Sequence, residues 1–179
     1  SFRHLQEVCH YHYTSIEGIF KSLLQTNMSR QRLKTKTKEF VLEVKEDLKV
    51  GFCDSLLVNW EDFTHMLVCC ASNKMLRTRT LKEKKTFSQA DLRENLVTGF
   101  VSGYYNYFRK VYNNLQLGRD RVPSPQYRAA NFYFIREYCY GSMFRYNKKG
   151  EFNIPYGGMT YNDKNFLAKI ENIFSEEVR

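Results

Sequence analysis

Apolar residues recur at helical spacing over most of this chain, and the departures from that spacing carry the interest. Between residues 5 and 24 the apolar positions are Leu5, Val8, Tyr11, Tyr13, Ile16, Ile19, Phe20, Leu23 and Leu24. Their three- and four-residue steps predict helix, broken at Thr14-Ser15, where Ser15 is placed to cap a second helix. A different pattern follows. Arg30, Arg32, Lys34, Lys36 and Lys38 occupy alternate positions, which in an extended segment puts every cation on one face. Residues 40–50 alternate too, and read as a strand or a short helix. Residues 55–71 form the most apolar stretch of the first half, with Leu56, Leu57, Val58, Trp60, Phe63, Met66, Leu67 and Val68, and are expected in the core. Residues 73–85 are basic and read as a loop or an exposed helix face.

The helical pattern is clearest after Ser88. Ser88-Gln-Ala-Asp91 has the form of a capping box. Leu92, Leu96, Phe100, Tyr104, Phe108 and Val111 then carry a helix to about Leu115. Residues 118–125 read as a loop and 126–138 as helix, with Ala129, Ala130, Phe132, Tyr133 and Ile135. Thr160-Tyr-Asn-Asp163 resembles a second capping box, before a last helix lined by Phe166, Leu167, Ile170, Ile173, Phe174 and Val178. Between these helices residues 144–158 read F-R-Y-N-K-K-G-E-F-N-I-P-Y-G-G. Lys148-Lys149-Gly150 makes a basic turn, Glu151-Phe152-Asn153-Ile154 alternates like a strand, and Pro155 and the glycine pair stop it. That is a β-hairpin signature. The predicted fold class is therefore α+β, mostly helical with one hairpin, without a visible doubly wound sheet. Residues 1–87 form a basic N-terminal region. Residues 88–179 form a helical domain bearing the hairpin at 144–157.

Charge and composition narrow the partner. The formal net charge is +9, and aromatic residues make up 16% of the chain, with 13 Tyr and 14 Phe against one Trp. A basic, Tyr-rich chain suits nucleic acid, since phosphates attract the cations and every base offers a face for stacking. No apolar run approaches the length needed to span a bilayer, and no N-terminal signal pattern occurs, so no membrane partner is expected. The five cysteines are odd in number and include no C-x-x-C pair. This usage predicts free thiols and a reducing, DNA-containing compartment such as the cytoplasm. Cys9, His10 and His12, with His4 nearby, form the one tempting metal cluster. A second ligand pair at zinc spacing is lacking, so the expected role is packing along a helix. Glu43-Val44-Lys45 has the E-x-K form of a restriction-type nuclease core, which needs a further carboxylate on a neighbouring strand.

The hairpin carries the chemistry of base reading. Arg can bond a guanine edge through two parallel hydrogen bonds, Asn an adenine edge, and Lys can neutralise phosphate. Arg145 and Asn147 lie two residues apart, so on a strand they share a face. The whole run from Arg136 through Tyr140-Gly141-Ser142-Met143 to Gly157 resembles the target-recognition segment of Dam-like adenine-specific DNA methyltransferases. In that family an aromatic-rich turn after a helix leads into R-Y-N-x-x-G-x-F-N-x-P-[FY]-G. The resemblance extends upstream through residues 104–115 and 129–138 and downstream through 162–173, about two-fifths of the chain.

By this resemblance Arg145, Asn147 and Pro155 face base edges or the major groove, and Tyr140 sits in the stack near a flipped adenine. Lys148 and Lys149 face phosphate, and Met143, Tyr146 and Asn153 complete the DNA-contacting set. Two departures leave contacts in question. Gly141-Ser142 stands where many relatives carry Asn-Gly, and Gly158-Met159 replaces an Arg-Tyr. The family's cofactor, S-adenosylmethionine, binds an F-x-G-x-G loop, and its chemistry uses D-P-P-Y. Neither string occurs in this sequence, and Pro123, Pro125 and Pro155 are nowhere adjacent. No cofactor-binding, catalytic or metal residues are therefore assigned here. Any Rossmann-like sheet is expected largely outside this chain, on a missing segment or a catalytic partner subunit. With Ser1 in first place, a fragment or a processed chain fits. The implied function is the double-stranded-DNA recognition portion of an adenine methyltransferase. The alternatives are a nucleic-acid-binding module without chemistry and a metal-dependent nuclease at Glu43 and Lys45.

Overall fold

The computed structural model describes residues 2–52, 58–120, 124–165, 168, 169 and 171. Seven α-helices account for most of them: α1 (Phe2–Tyr11), α2 (Tyr13–Gln25), α3 (Arg30–Glu43), α4 (Lys45–Val50), α5 (Trp60–Lys82), α6 (Gln89–Gln116) and α7 (Pro125–Tyr138). Single 3-10 turns follow at Tyr140–Ser142 and Met159–Tyr161. The chain divides into two compact units, residues 1–111 and 112–179.

In the first unit, sequence signals and boundaries agree where side chains cap. The Ser88 hydroxyl accepts from the Asp91 amide at 3.0 Å and donates to the Asp91 carboxylate at 2.8 Å, starting α6. Asn59 accepts from the Asp62 amide and starts α5. The break between α1 and α2 falls at His12, earlier than Thr14-Ser15. His12, with φ −90 and ψ 21, leaves helical geometry there, and its Nε2 lies 2.9 Å from the Asp47 carboxylate.

The core of this unit is aromatic and helical. Phe63 is fully buried, and edge contacts join it to Phe52, Trp60, Tyr104 and Tyr107. α5 and α6 approach closely. A Cβ on Gly103 would stand 2.8 Å from the Leu67 Cα, so only glycine admits that crossing. α3 packs against α5 and buries Leu33, Thr37, Phe40 and Val41, with Val44 buried at its end. The buried Thr37 hydroxyl accepts from Ser72 at 3.2 Å and donates to the Leu33 carbonyl.

The expected extended segment at 30–38 is helix instead, and residues 40–50 take the helical of their two readings. The alternating cations at 30–38 lie on α3. Residues two apart on a helix are separated by about 200°, so the alternation scatters the charges over both flanks of the buried stripe. Ser29 caps this helix by accepting from the Arg32 amide, and its apolar spacing outweighs the alternation. Residues 40–50 form the end of α3 and all of α4. Glu43 and Lys45 therefore flank a helix junction at Val44 and share no strand face.

The expected β-hairpin, and with it the α+β class, is overturned. Among the described residues no strand forms, and the protein is mostly helical. Between Cys139 and Gly157 there are two isolated antiparallel bridges, Cys139 with Tyr156 and Tyr146 with Phe152. The reason lies in where the backbone groups go, which side-chain alternation does not report. Tyr146 and Phe152 form a non-hydrogen-bonded pair, flanked by the bonds from the Asn147 amide to the Glu151 carbonyl and from the Asn153 amide to the Arg145 carbonyl. The outward-facing amide and carbonyl of Phe152 therefore bond the Asn113 side chain, at 2.8 and 3.0 Å, without interrupting the pairing. The Asn147 carboxamide oxygen takes the amides of Lys149 and Glu151, and Pro155 has no amide to give. The ladder stops after one rung.

The expected capping box at 160–163 is a 3-10 turn. Beyond it Asn165 accepts from the Ala168 amide at 3.2 Å. The expected last-helix positions Phe166, Leu167, Ile170, Ile173, Phe174 and Val178 lie outside the described residues. So do Ser55, Leu56 and Leu57.

Candidate nucleic-acid interface

The loop from Cys139 to Gly157 is held at its base by α7 and the turn beyond it. Ser124 caps α7 by accepting from the Tyr127 amide, with Pro125 in the first turn. At the other end the Tyr140 amide donates to the Pro155 carbonyl and the Gly157 amide to the Tyr138 carbonyl, each at 2.9 Å. Lys164 ties the base together. Its ammonium bonds the Glu137 carbonyl at 2.7 Å, stands 3.3 Å from the Glu137 carboxylate and lies 4.0 Å from the Tyr161 ring centre. Burial acts to raise the Glu137 carboxyl, but Lys169 and Lys164 outweigh it and hold the group below the usual carboxylate range. The thiol of Cys139, buried at the loop's first bridge, is pushed up by that burial.

The two faces of the loop differ. Tyr146 and Phe152 turn inward. Phe152 is 1% exposed and meets the rings of Tyr112, Phe144 and Tyr146. The Tyr146 and Tyr112 hydroxyls are 2.9 Å apart, and burial followed by that bond raises the Tyr112 phenol. An open groove of about 660 Å³ lies beside these rings, lined by Tyr112, Gln116, Arg128, Phe132, Phe144 and Tyr146 among others.

The opposite face carries Arg145 and Asn153 as one pair and Asn147 and Glu151 as the next. Arg145 is exposed, and its Nε donates to Asn153 Oδ1 at 3.0 Å. That bond takes the inner nitrogen, Nε, and the two outer nitrogens carry the remaining donors of the guanidinium. Asn147 is a turn-maker. Besides accepting two amides, its nitrogen donates to Glu151 Oε2 at 3.0 Å. Glu151 in turn receives Arg119 Nη1 at 2.8 Å. The Arg119 bond, then the Asn147 bond, draw the Glu151 carboxyl below its ordinary range. Gly150, with φ +76, closes the turn in a backbone region that favours glycine.

The expected contact residues thus fall into three groups. Arg145, Lys148, Lys149 and Pro155 are exposed on the loop, and so are Tyr140, at 57%, and Met143. Asn153 and Asn147 are half-buried and bonded within the loop. Tyr146 is half-buried on the inner face. Sequence reasoning missed Asn113, Arg119 and Glu151. Glu151 was legible as a carboxylate inside a basic turn. Asn113 gives no signal in a helix that reads as a plain amphipathic repeat.

The other candidate chemistry does not assemble. His4 bonds the Asp47 carbonyl at 2.6 Å, His10 faces Glu94 at 3.5 Å and His12 faces the Asp47 carboxylate. Cys9 is buried, and burial pushes its thiol up. Among the described residues no group of three His, Cys, Asp or Glu side chains is placed to hold a metal. No helix there is long and apolar enough to cross a membrane.

Residues 61–179 match the D12 class N6 adenine-specific DNA methyltransferase family. The chain belongs to that family. It is similar to two type II methyltransferases. M.MjaIII of Methanocaldococcus jannaschii is 57% identical over 54 residues, 30% of this chain and 17% of that protein. M.CviBI of Paramecium bursaria Chlorella virus NC1A is 45% identical over 49 residues, 27% of this chain and 16% of that protein. The aligned part of this chain spans about a sixth of the length of each of these curated relatives. No solved structure matches it.

Proposed function

We propose that residues 112–165 form the DNA-reading part of an enzyme that methylates adenine in duplex DNA. The observation that carries this reading is the Arg145–Asn153 bond. It steadies an exposed guanidinium by its inner nitrogen, leaving the geometry that a guanine edge accepts in bidentate fashion. Lys148 and Lys149, exposed at the turn, take backbone phosphates, and the exposed Pro155 and Met143 meet base edges in the major groove of the DNA. Tyr140, more than half exposed beside the Gly141-Ser142 turn, offers a ring to the base stack. Asn147 and Asn153 shape the loop, and Tyr146 anchors it.

The methyl donor in this reading is S-adenosylmethionine. Among the described residues of this unit, those lining the groove beside the loop do not fit it. That groove is lined by aromatic rings and the Arg128 cation, with no carboxylate for the ribose hydroxyls or the ammonium of the donor. The cofactor loop and catalytic motif are assigned to residues beyond these 179, and no step is derived through the cofactor. The compartment this reading requires is one that holds DNA.

The test uses the full chain. Duplexes are enriched from a randomised library, and binding of the enriched and scrambled sequences is compared at fixed salt. Arg145→Ala is expected to cost about 1–3 kcal/mol on the enriched duplex and much less on the scrambled one. Lys149→Ala is expected to weaken both modestly and equally. Equal loss on both duplexes for Arg145→Ala would reduce the loop to a phosphate holder.

A further inference from the structure

Asn113 and Arg119 stand outside the loop, yet they make its most directional contacts. The Asn113 carboxamide bonds both backbone groups of Phe152, with Oδ1 accepting at 2.8 Å and Nδ2 donating at 3.0 Å. That is the pair of bonds a neighbouring strand would supply, and it fixes residue 152 in position and in rotation. Asn153, which holds Arg145, is the next residue in the chain. Arg119 reaches residue 151 on the other side. Its Nη1 meets Glu151 Oε1 at 2.8 Å, and Glu151 Oε2 meets Asn147. The loop is therefore gripped at 151 and 152, directly before the residue that aims the guanidinium.

We propose that Asn113 and Arg119 are positioning residues for sequence reading, acting on Arg145 through Phe152 and Glu151. The proposal rests on the reading of Arg145 given above. Its physical basis is the weakness of the loop alone. Even a two-stranded hairpin with a full ladder is marginal in water, and this loop forms no strand and has a single bridge near its tip. The Arg119–Glu151 pair is half exposed, so its worth in stability is small. Its worth lies in geometry, because a contact misplaced by about 1 Å forfeits much of its effect.

A double-mutant cycle in the full chain tests this. Asn113→Ala and Arg119→Ala are made alone and together with Arg145→Ala. The reading is the ratio of dissociation constants for the scrambled and enriched duplexes. Each single change is expected to lower that ratio by about tenfold, within the range of one base contact, and to leave scrambled-duplex affinity unchanged. In the Arg145→Ala background neither is expected to lower it further, since residues in one chain of contacts are not additive. Arg119→Lys, which keeps the charge pair, is expected to recover most of the ratio. The same drop in both backgrounds, or equal weakening on both duplexes, would make the two residues merely structural. If Asn113→Ala unfolds, the Arg119 arm decides, because that side chain is half exposed. An effect of Arg145→Ala with none from Asn113 or Arg119 overturns the positioning alone. A wild-type chain that enriches no sequence overturns it together with the reading beneath it.

Discussion

Each unit is organised around a cluster of aromatic rings, and the two clusters hold different things. In the first, Phe63, Tyr104, Tyr107 and Phe108 are all buried, and they join helices whose backbone groups already bond within each helix. In the second, Phe152 is buried while its neighbour Phe144 is 54% exposed, and the rings hold a loop with almost no ladder. The loop supplements its few backbone bonds with side-chain ones, from Asn113 outside it and from Asn147 and Asn153 within it. The cations differ in the same way. On α3 they scatter over two flanks, with Arg30 tied to Asn73 at 2.7 Å. On the loop, Arg145 is exposed and braced by a neighbour. A helical core needs rings only for cohesion, whereas a surface that presents a cation in one direction needs polar groups placed to brace it.

The largest effect should come from the rings. Phe63→Ala removes a fully buried side chain with four ring neighbours and should cost about 3–5 kcal/mol in chemical denaturation. The sequence preference of the folded fraction should not change. Phe152→Ala should cost about 3 kcal/mol, the low end, because Phe144 has open space into which the site can collapse. It should abolish the preference. Loss of preference in both variants would dissolve the distinction between the clusters.

A smaller effect concerns the base of the loop. The Glu137 carboxyl is depressed in the fold by Lys169 and Lys164. A depressed group contributes stability that is fully present above its unfolded pKa, about 4.3, and is lost as pH falls through the folded value. Glu137→Gln should therefore cost up to about 1 kcal/mol at neutral pH, with the difference from wild type closing as pH falls below about 4. Denaturation at a series of pH values measures this, and a gap that widens on acidification would reverse the assignment.

The smallest effect should come from α3. Replacing Lys34 and Lys38 with Gln, on one flank, should change the enriched and scrambled duplexes alike. The salt slope should flatten by no more than about 0.9 per lost phosphate contact. Replacing Arg32 and Lys36 probes the other flank. A change in preference from either pair would mean that α3 reads sequence.

Legibility in the sequence followed the kind of physics involved. Helices with side-chain caps were readable, since Ser88 and Asp91 sit at the spacing that the cap requires. The basic row at 30–38 was misread because alternation is a pattern of side chains, and the stripe of Leu33, Thr37, Phe40, Val41 and Val44 is what burial rewards. The tip of the loop was readable as a turn from Lys148-Lys149-Gly150, but its strands were not to be had. Nothing local indicates that Asn113, thirty-nine residues away, takes both bonds of Phe152. Nor does the R-Y-N string report that Asn147 spends its amide on the turn.

The most direct test of the account is amide hydrogen exchange on the full chain, with and without the enriched duplex. Strong slowing across residues 144–153, with α3 unchanged, is the expected result. Slowing along α3 with none in the loop would contradict the claim that the loop reads DNA.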